Sequence, residues 1–450
     1  MRASRALVYA TAAALPAFLL PVHLGPLSTT ALEIAVVLTV VVYGVEVYAS
    51  GVRPRWPGAF TGPMLLVVVA LPIAVAISPD RRAAAEVVRT AFLEPAALFG
   101  VACSVLTGPR EMGRFVRAML LGGGAVAVML LAVFAHAAAT GQPGILVSPP
   151  IAWYPRAASV GLLLTPLIAL AGALVLMLPG RLLRADRVGP ALFLAVALPA
   201  AVLTLSQAAW LALGATVFGL ALAITHGRRR RVLGVVVPTM AALGMAALLA
   251  APARSSLANE IRTGGGPVAG VDSRAQLWSD AFALVRVHPM EGVGVGVLGT
   301  RAAVGEPADV AHRDDPSNLM LAIWLQLGLI GVAGLVWFAA RVVRWLLAVR
   351  SAPAEVRPFV VGAACALLAV VAGGVLDTSY ASPDLAAMTL GVCALIATAA
   401  RLQRVRLRAV VRLPLPGAAA DIEAAELPMP ADIPRSTGRF PAARPPAAAG

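Results

Sequence analysis

Stretches of about 20 consecutive apolar residues, the length of helix that spans a bilayer's hydrocarbon core, recur along the whole chain. Twelve are long enough, near residues 6–22, 31–48, 59–78, 87–107, 117–138, 157–179, 189–205, 208–225, 232–251, 319–340, 358–375 and 384–400. Of the 450 residues, 60% are hydrophobic and only 13% charged, about half the charged share of a soluble domain. A soluble globular enzyme and a disordered chain are both excluded. The predicted fold class is all-α: a polytopic integral membrane helical bundle of about 12 transmembrane helices. Only a few polar residues around Ser206 and Gln207 separate the seventh and eighth runs. The first run follows Arg2 and Arg5 as a signal peptide would, but no A-x-A-like cleavage site precedes its end at Pro21–Val22–His23. It is therefore read as a span.

All 36 basic side chains are arginine. Without lysine, a Walker A loop, a pyridoxal Schiff base and a lysine general base are impossible. The net charge of +14 points, in so apolar a chain, to membrane orientation rather than nucleic acid. With a cytoplasmic N-terminus, the cytoplasmic segments hold 26 arginines and the opposite segments 10. Both termini are therefore expected on the cytoplasmic side of the cytoplasmic (inner or plasma) membrane. Cys103, Cys365 and Cys393 lie inside apolar runs, too far apart in sequence for a metal motif, and are expected to be free.

This layout gives four regions: 1–251 with spans one to nine, a 252–318 extracytoplasmic loop, 319–400 with spans ten to twelve, and a basic tail, 401–450. Eight prolines in 413–450, without periodicity, predict a disordered cytoplasmic extension. The loop is the longest connection and the one large enough to build a site. Within it, residues 272–287 have helical period, with Leu277, Trp278, Ala281, Phe282 and Val285 on one face and Pro289 as the stop. Such a helix is expected to lie along the lipid surface. Arg274, one turn before Trp278, then sits at headgroup depth, where it either holds a phosphate or snorkels to lipid.

Gly294, Gly296 and Gly299 match G-x-G-x-x-G formally. A dinucleotide site needs a strand before it and a cytosolic α/β domain around it, so the glycines are read as a tight turn approaching the membrane. Beyond Arg301 a polar stretch ends in His312-Arg313-Asp314-Asp315-Pro316-Ser317-Asn318. His312 is either a general base for a hydroxyl or part of a solvated connector. Inside the spans, Glu33, Glu46, Arg89 and Glu94 are costly and should face the bundle interior. Arg89 and Glu94, five apart, are poorly spaced to pair on an α-helix.

Three pieces, in this order around one long loop, resemble the O-antigen ligase and Wzy-type O-antigen polymerase superfamily. Leu205-Ser206-Gln207-Ala208-Ala209-Trp210-Leu211 is similar to that superfamily's S-R-x-x-W-L. Arg274-x-x-x-Trp278, then His288-Pro289-Met290-x-Gly292-Val293-Gly294-x-Gly296, is similar to its R-x-x-x-W and H-P-x-x-G-x-G-x-G block. Ser317-Asn318-Leu319-x-Leu321, leading to Leu325-Gln326-Leu327-Gly328-Leu329-Ile330-Gly331, is similar to its H-N-x-x-L and E-x-G-x-x-G.

The resemblance implies a metal-independent glycosyltransferase at the outer membrane face, without cofactor. Its partners would be an undecaprenyl-diphosphate-linked glycan, a glycan or glycolipid acceptor and membrane lipid, with no nucleic acid. It implies Arg274 on the diphosphate and Trp278 and Asn318 at the substrate site. Two positions depart: Gln207 stands where the superfamily has arginine, and Ser317 where it has histidine. Glutamine lacks the charge and serine is a poor base, so His312 is the expected base and Arg301 and Arg313 the expected replacement charge. The competing expectations are a lipid-linked glycan transporter or flippase and a catalytically degenerate envelope-assembly scaffold.

Overall fold

The structure, a computed structural model, describes residues 1–24, 27–51, 53–140, 154, 157–177, 184–204, 206–223, 271–296, 316–349 and 352–411. The ninth expected span, Arg301, His312, Arg313 and most of the tail lie outside the described residues. The chain divides into Met1–Gln403, which holds the bundle, and Arg404–Gly450, of which only helical residues up to Val411 are described.

The chain opens with α1 (Arg2–Ala13), a 3-10 turn (Leu15–Leu19) and an antiparallel hairpin of β1 (Pro21–Leu24) and β2 (Leu27–Thr30) that pairs Pro21 with Thr30. The first apolar run is thus not one continuous helix. Pro16 and Pro21 lack the N–H groups that would carry the helix on. There follow α2 (Ala31–Ser50), α3 (Thr61–Ile77), α4 (Arg81–Val87), a π-helical turn (Val88–Leu93), α5 (Glu94–Val105) and α6 (Pro109–Thr140). Beyond them come α7 (Ala157–Met177), α8 (Arg184–Leu203), α9 (Gln207–Ala223), α10 (Val271–Val287), α11 (Leu319–Ala348), α12 (Arg357–Gly374) and α13 (Pro383–Val411).

Among the described residues, eight helices are long and apolar enough to cross a membrane: α2, α3, the α4–α5 unit, α6, α7, α11, α12 and α13. The α8 and α9 helices are shorter and apolar. The chain is an all-α polytopic membrane protein. At its centre α7 packs on α8 and α12, α6 on α1 and α8, and α3 on α11. Small residues allow close approach: Gly362 meets Leu170 and Ala173, and Gly391 meets Phe115. The outer helices keep apolar side chains on their exposed faces, such as Val37, Leu38 and Val41 of α2 and Leu65, Val68 and Val69 of α3. That is the pattern of helices whose surroundings are as apolar as their core. Cys103, Cys365 and Cys393 are buried and free.

Candidate functional site

The α10 helix does not lie alone on a surface. Its Trp278, Ala281 and Val285 pack on Leu321 and Leu325 of α11, together with Val293 and Trp324. Phe282, expected on the same face, is 47% exposed, as are Leu284 and Val287 in part. An apolar helical stripe does not by itself distinguish lipid from a neighbouring helix. Here Trp278 meets a helix, and its buried indole N–H has no partner among the described residues.

After α10 the chain turns at Pro289 and runs against α11 where that helix breaks. Gly328 takes φ 63° and ψ −169°, which interrupts the helical ladder. Two backbone bonds fill the gap: Val293 N–H donates to Leu325 O (2.6 Å) and Leu329 N–H to Met290 O (3.0 Å). Trp324 Nε1–H adds a third, to Pro289 O at 3.0 Å. At Gly328 and Gly292 the two backbones approach so closely that a Cβ on either would strike the other chain segment. Gly292, Gly294 and Gly296, all at positive φ, thus form an insert packed against the break in a membrane helix, while Gly299 lies outside the described residues. Further on, Ser78, which follows α3, donates its buried hydroxyl to Val295 O at 3.0 Å. In this turn His288 Nδ1 lies 3.1 Å from Glu291 Oε1, and this bond holds the Glu291 carboxyl below the usual range.

Asn318 caps α11. Its Oδ1 accepts from Met320 N–H (3.0 Å) and Leu321 N–H (3.1 Å), and its Nδ2–H donates to Val375 O at 3.1 Å, beyond the end of α12. Ser317 precedes the cap with a positive φ of 44°. Gln207 is exposed at the start of α9. There Ser206 Oγ accepts from Ala209 N–H (3.3 Å), and Trp210 Nε1–H donates to Val202 O (3.1 Å), stitching α8 to α9. Gly373 lies against Leu162 and Ala212, and Gly374 against Leu319. The end of α12 therefore joins the α7–α9 side of the bundle to the start of α11. Arg274 lies on α10, one helical turn before Trp278. The structure thus gathers the backbones of all three motifs at one end of the bundle.

Two groupings there escaped the sequence reading. Arg89 pairs with both Glu33 (3.0 Å) and Glu94 (3.5 Å), so the expectation that Arg89 and Glu94 do not pair is corrected. Pro95 has no N–H for the carbonyl four residues back, and the helix widens into a π turn over Val88–Leu93. In a π turn, residues five apart stack. The other grouping is buried: Tyr154 Oη–H donates to Asp384 (2.7 Å), which also accepts from Ser382 Oγ (2.6 Å). Among the described residues no three His, Cys, Asp or Glu side chains are grouped to hold a metal.

Residues 191–336, which include all three motifs, match the O-antigen ligase family. Over this stretch the chain is similar to the O-antigen ligase family. The match runs from within α8, through the loop, to the broken helix α11, and so covers the motif turns but not α2–α6 or α13. No curated protein matches the chain.

Proposed function

We propose that the protein is a membrane glycosyltransferase that moves a glycan from an undecaprenyl-diphosphate carrier to an acceptor hydroxyl. The match of residues 191–336 to the O-antigen ligase family supports glycosyltransferase-like chemistry with lipid-linked glycan and acceptor partners in general. The observation that supports the finer reading is the docking of α10 on the start of α11, where Trp278, one turn after Arg274, packs in one cluster with Leu321, one turn after the Asn318 cap, inside the matched region. We assign this end of the bundle to the outer face of the cytoplasmic membrane, from the arginine distribution.

In the reaction, the acceptor oxygen attacks the anomeric carbon and the bond from that carbon to the diphosphate oxygen breaks. Undecaprenyl diphosphate leaves with the bonding pair. Arg274, aided by Arg301 and Arg313, stabilises that charge, as guanidinium forks do for phosphates. His312 takes the acceptor's proton, with Gln207 and Ser317 as polar contacts to the substrate. No nucleotide sugar is consumed. A scaffold without chemistry is the second reading, favoured by the Asn318 amide, whose oxygen caps α11 and one of whose N–H groups bonds the end of α12.

The test is carrier-linked glycan in the native host, compared in wild type, a deletion, and the deletion complemented by Arg274→Ala or His312→Ala. The transferase reading requires carrier-linked glycan to accumulate and mature polymer to fall in the deletion and with Arg274→Ala. Wild-type glycan with both point variants moves the assignment to the scaffold.

A further inference from the structure

Glu33, Arg89 and Glu94 take no part in that reaction, yet they form the most unusual cluster at this end of the bundle. Ionised groups in apolar helices are expensive, and those that occur commonly serve function. One ion pair is enough to tie α2 to the α4–α5 unit. Here two carboxylates flank one guanidinium. Glu33 Oε2 accepts from Thr29 Oγ1 (2.7 Å) and Arg89 Nη2 (3.0 Å), while Glu94 Oε1 lies 3.5 Å from Arg89 Nη1. Glu33 Oε1 and Glu94 Oε2 have no hydrogen-bond partner among the described residues. The two glutamates are 8% and 12% exposed, but Arg89 is 45% exposed. Arg89 is thus the exposed member of the cluster, and each nearly buried glutamate beside it keeps an oxygen without a hydrogen bond among the described residues.

That combination selects its ligand. A phosphate placed there meets two carboxylates, and a metal ion meets the guanidinium. Neutral hydroxyl groups meet neither repulsion: they donate to the carboxylates and accept from the arginine. The site also adjoins the loop insert. Val88, next to Arg89, belongs to one apolar cluster with Val295 of the insert and Leu327 of α11.

We propose that Glu33, Arg89 and Glu94 form a carbohydrate-hydroxyl subsite of this transferase. The assignment rests on the transferase reading and adds to it the place where a sugar is held. The sugar belongs either to the carrier-linked donor or to the acceptor glycan, which share this chemistry.

The test uses the full chain in lipid nanodiscs and three probes: undecaprenyl diphosphate without sugar, the carrier-linked glycan extracted from the deletion host, and mature host glycan free of carrier. Native mass spectrometry reads the bound fraction for wild type, Glu94→Gln and Arg89→Lys. The expected result is about a tenfold loss of affinity, the size of one charge-assisted hydrogen bond, for a sugar-bearing probe and none for the sugar-free carrier. Whichever sugar probe weakens names the donor or the acceptor as the source. Equal weakening of the sugar-free carrier, or unchanged binding of both sugar probes, overturns the subsite alone. Wild-type protein that binds none of the three overturns the transferase reading, and the subsite with it.

Discussion

The N–H of Leu329 donates to the carbonyl of Met290 across 3.0 Å, joining the middle of a membrane helix to a turn 39 residues earlier in the chain. It exists because Gly328 leaves the helical ladder at φ 63° and ψ −169°, a conformation nearly closed to other residues. Gly328→Ala is expected to lower stability by at least about 1–3 kcal/mol from backbone strain alone, with the added Cβ pushing the Met290 turn away. A thermal melt of the purified protein checks this; an unchanged melting temperature means that the helix does not break at Gly328.

Asn318 gives a graded series. Asn318→Ala removes the helix cap, worth about 1 kcal/mol, and the bond to Val375 O as well. Asn318→Asp keeps an acceptor for Met320 and Leu321 but cannot donate to Val375. Stability should fall in the order wild type, Asp, Ala. If Ala is as stable as wild type but fails in glycan transfer, the amide acts on substrate and not on the fold.

Ser78→Ala deletes the hydroxyl that meets Val295 O. A buried acceptor left without a partner costs about 1–3 kcal/mol. The loss falls on the contact between the α3–α4 turn and the loop insert, so limited proteolysis should cut the 288–296 segment sooner, while distant helices keep their resistance. Ser78→Thr, which retains the hydroxyl, should restore part of the protection. Identical cleavage in all three proteins would refute the contact's importance.

Tyr154 and Asp384 should behave as a coupled pair. Tyr154→Phe strips one hydrogen bond from a buried carboxyl that keeps Ser382 Oγ as its other side-chain donor. Each single variant is expected to destabilise, and the Tyr154→Phe, Asp384→Asn double variant by less than the two together, with a coupling of about 0.5–3 kcal/mol. Strict additivity in a double-mutant cycle argues against the bond.

Apolar run length was a sound guide to the membrane helices because bilayer thickness acts on every one of them alike. Runs two to eight and ten to twelve each coincide with a helix among the described residues, and even the narrow break at Ser206 is a real turn, closed by Ser206 and Trp210. The run that failed was the first, where Pro16 and Pro21 count as apolar but end helices. The three motifs, far apart in sequence, have their described backbones at one end of the bundle. Hydropathy did not reveal which partner Trp278 meets, since lipid and the Leu321–Leu325 face of α11 are equally apolar. Nor did it reveal the break at Gly328, because a long apolar helix reads the same whether whole or interrupted.

The π turn over Val88–Leu93 also has a topological meaning. It holds one residue more than an α-helix of the same rise, so it acts as an offset between two otherwise regular helices. Each residue of an α-helix rotates the side chains by about 100°. Removing one residue from Val88–Leu93 would restore regular winding and swing Glu94, together with the rest of α5, to a different azimuth around the helix axis. Either Glu94 would leave Arg89, or α5 would lose its packing. A chain of this type can exchange many apolar residues in α5 for one another, but it has little freedom to change how many residues lie between Arg89 and Glu94.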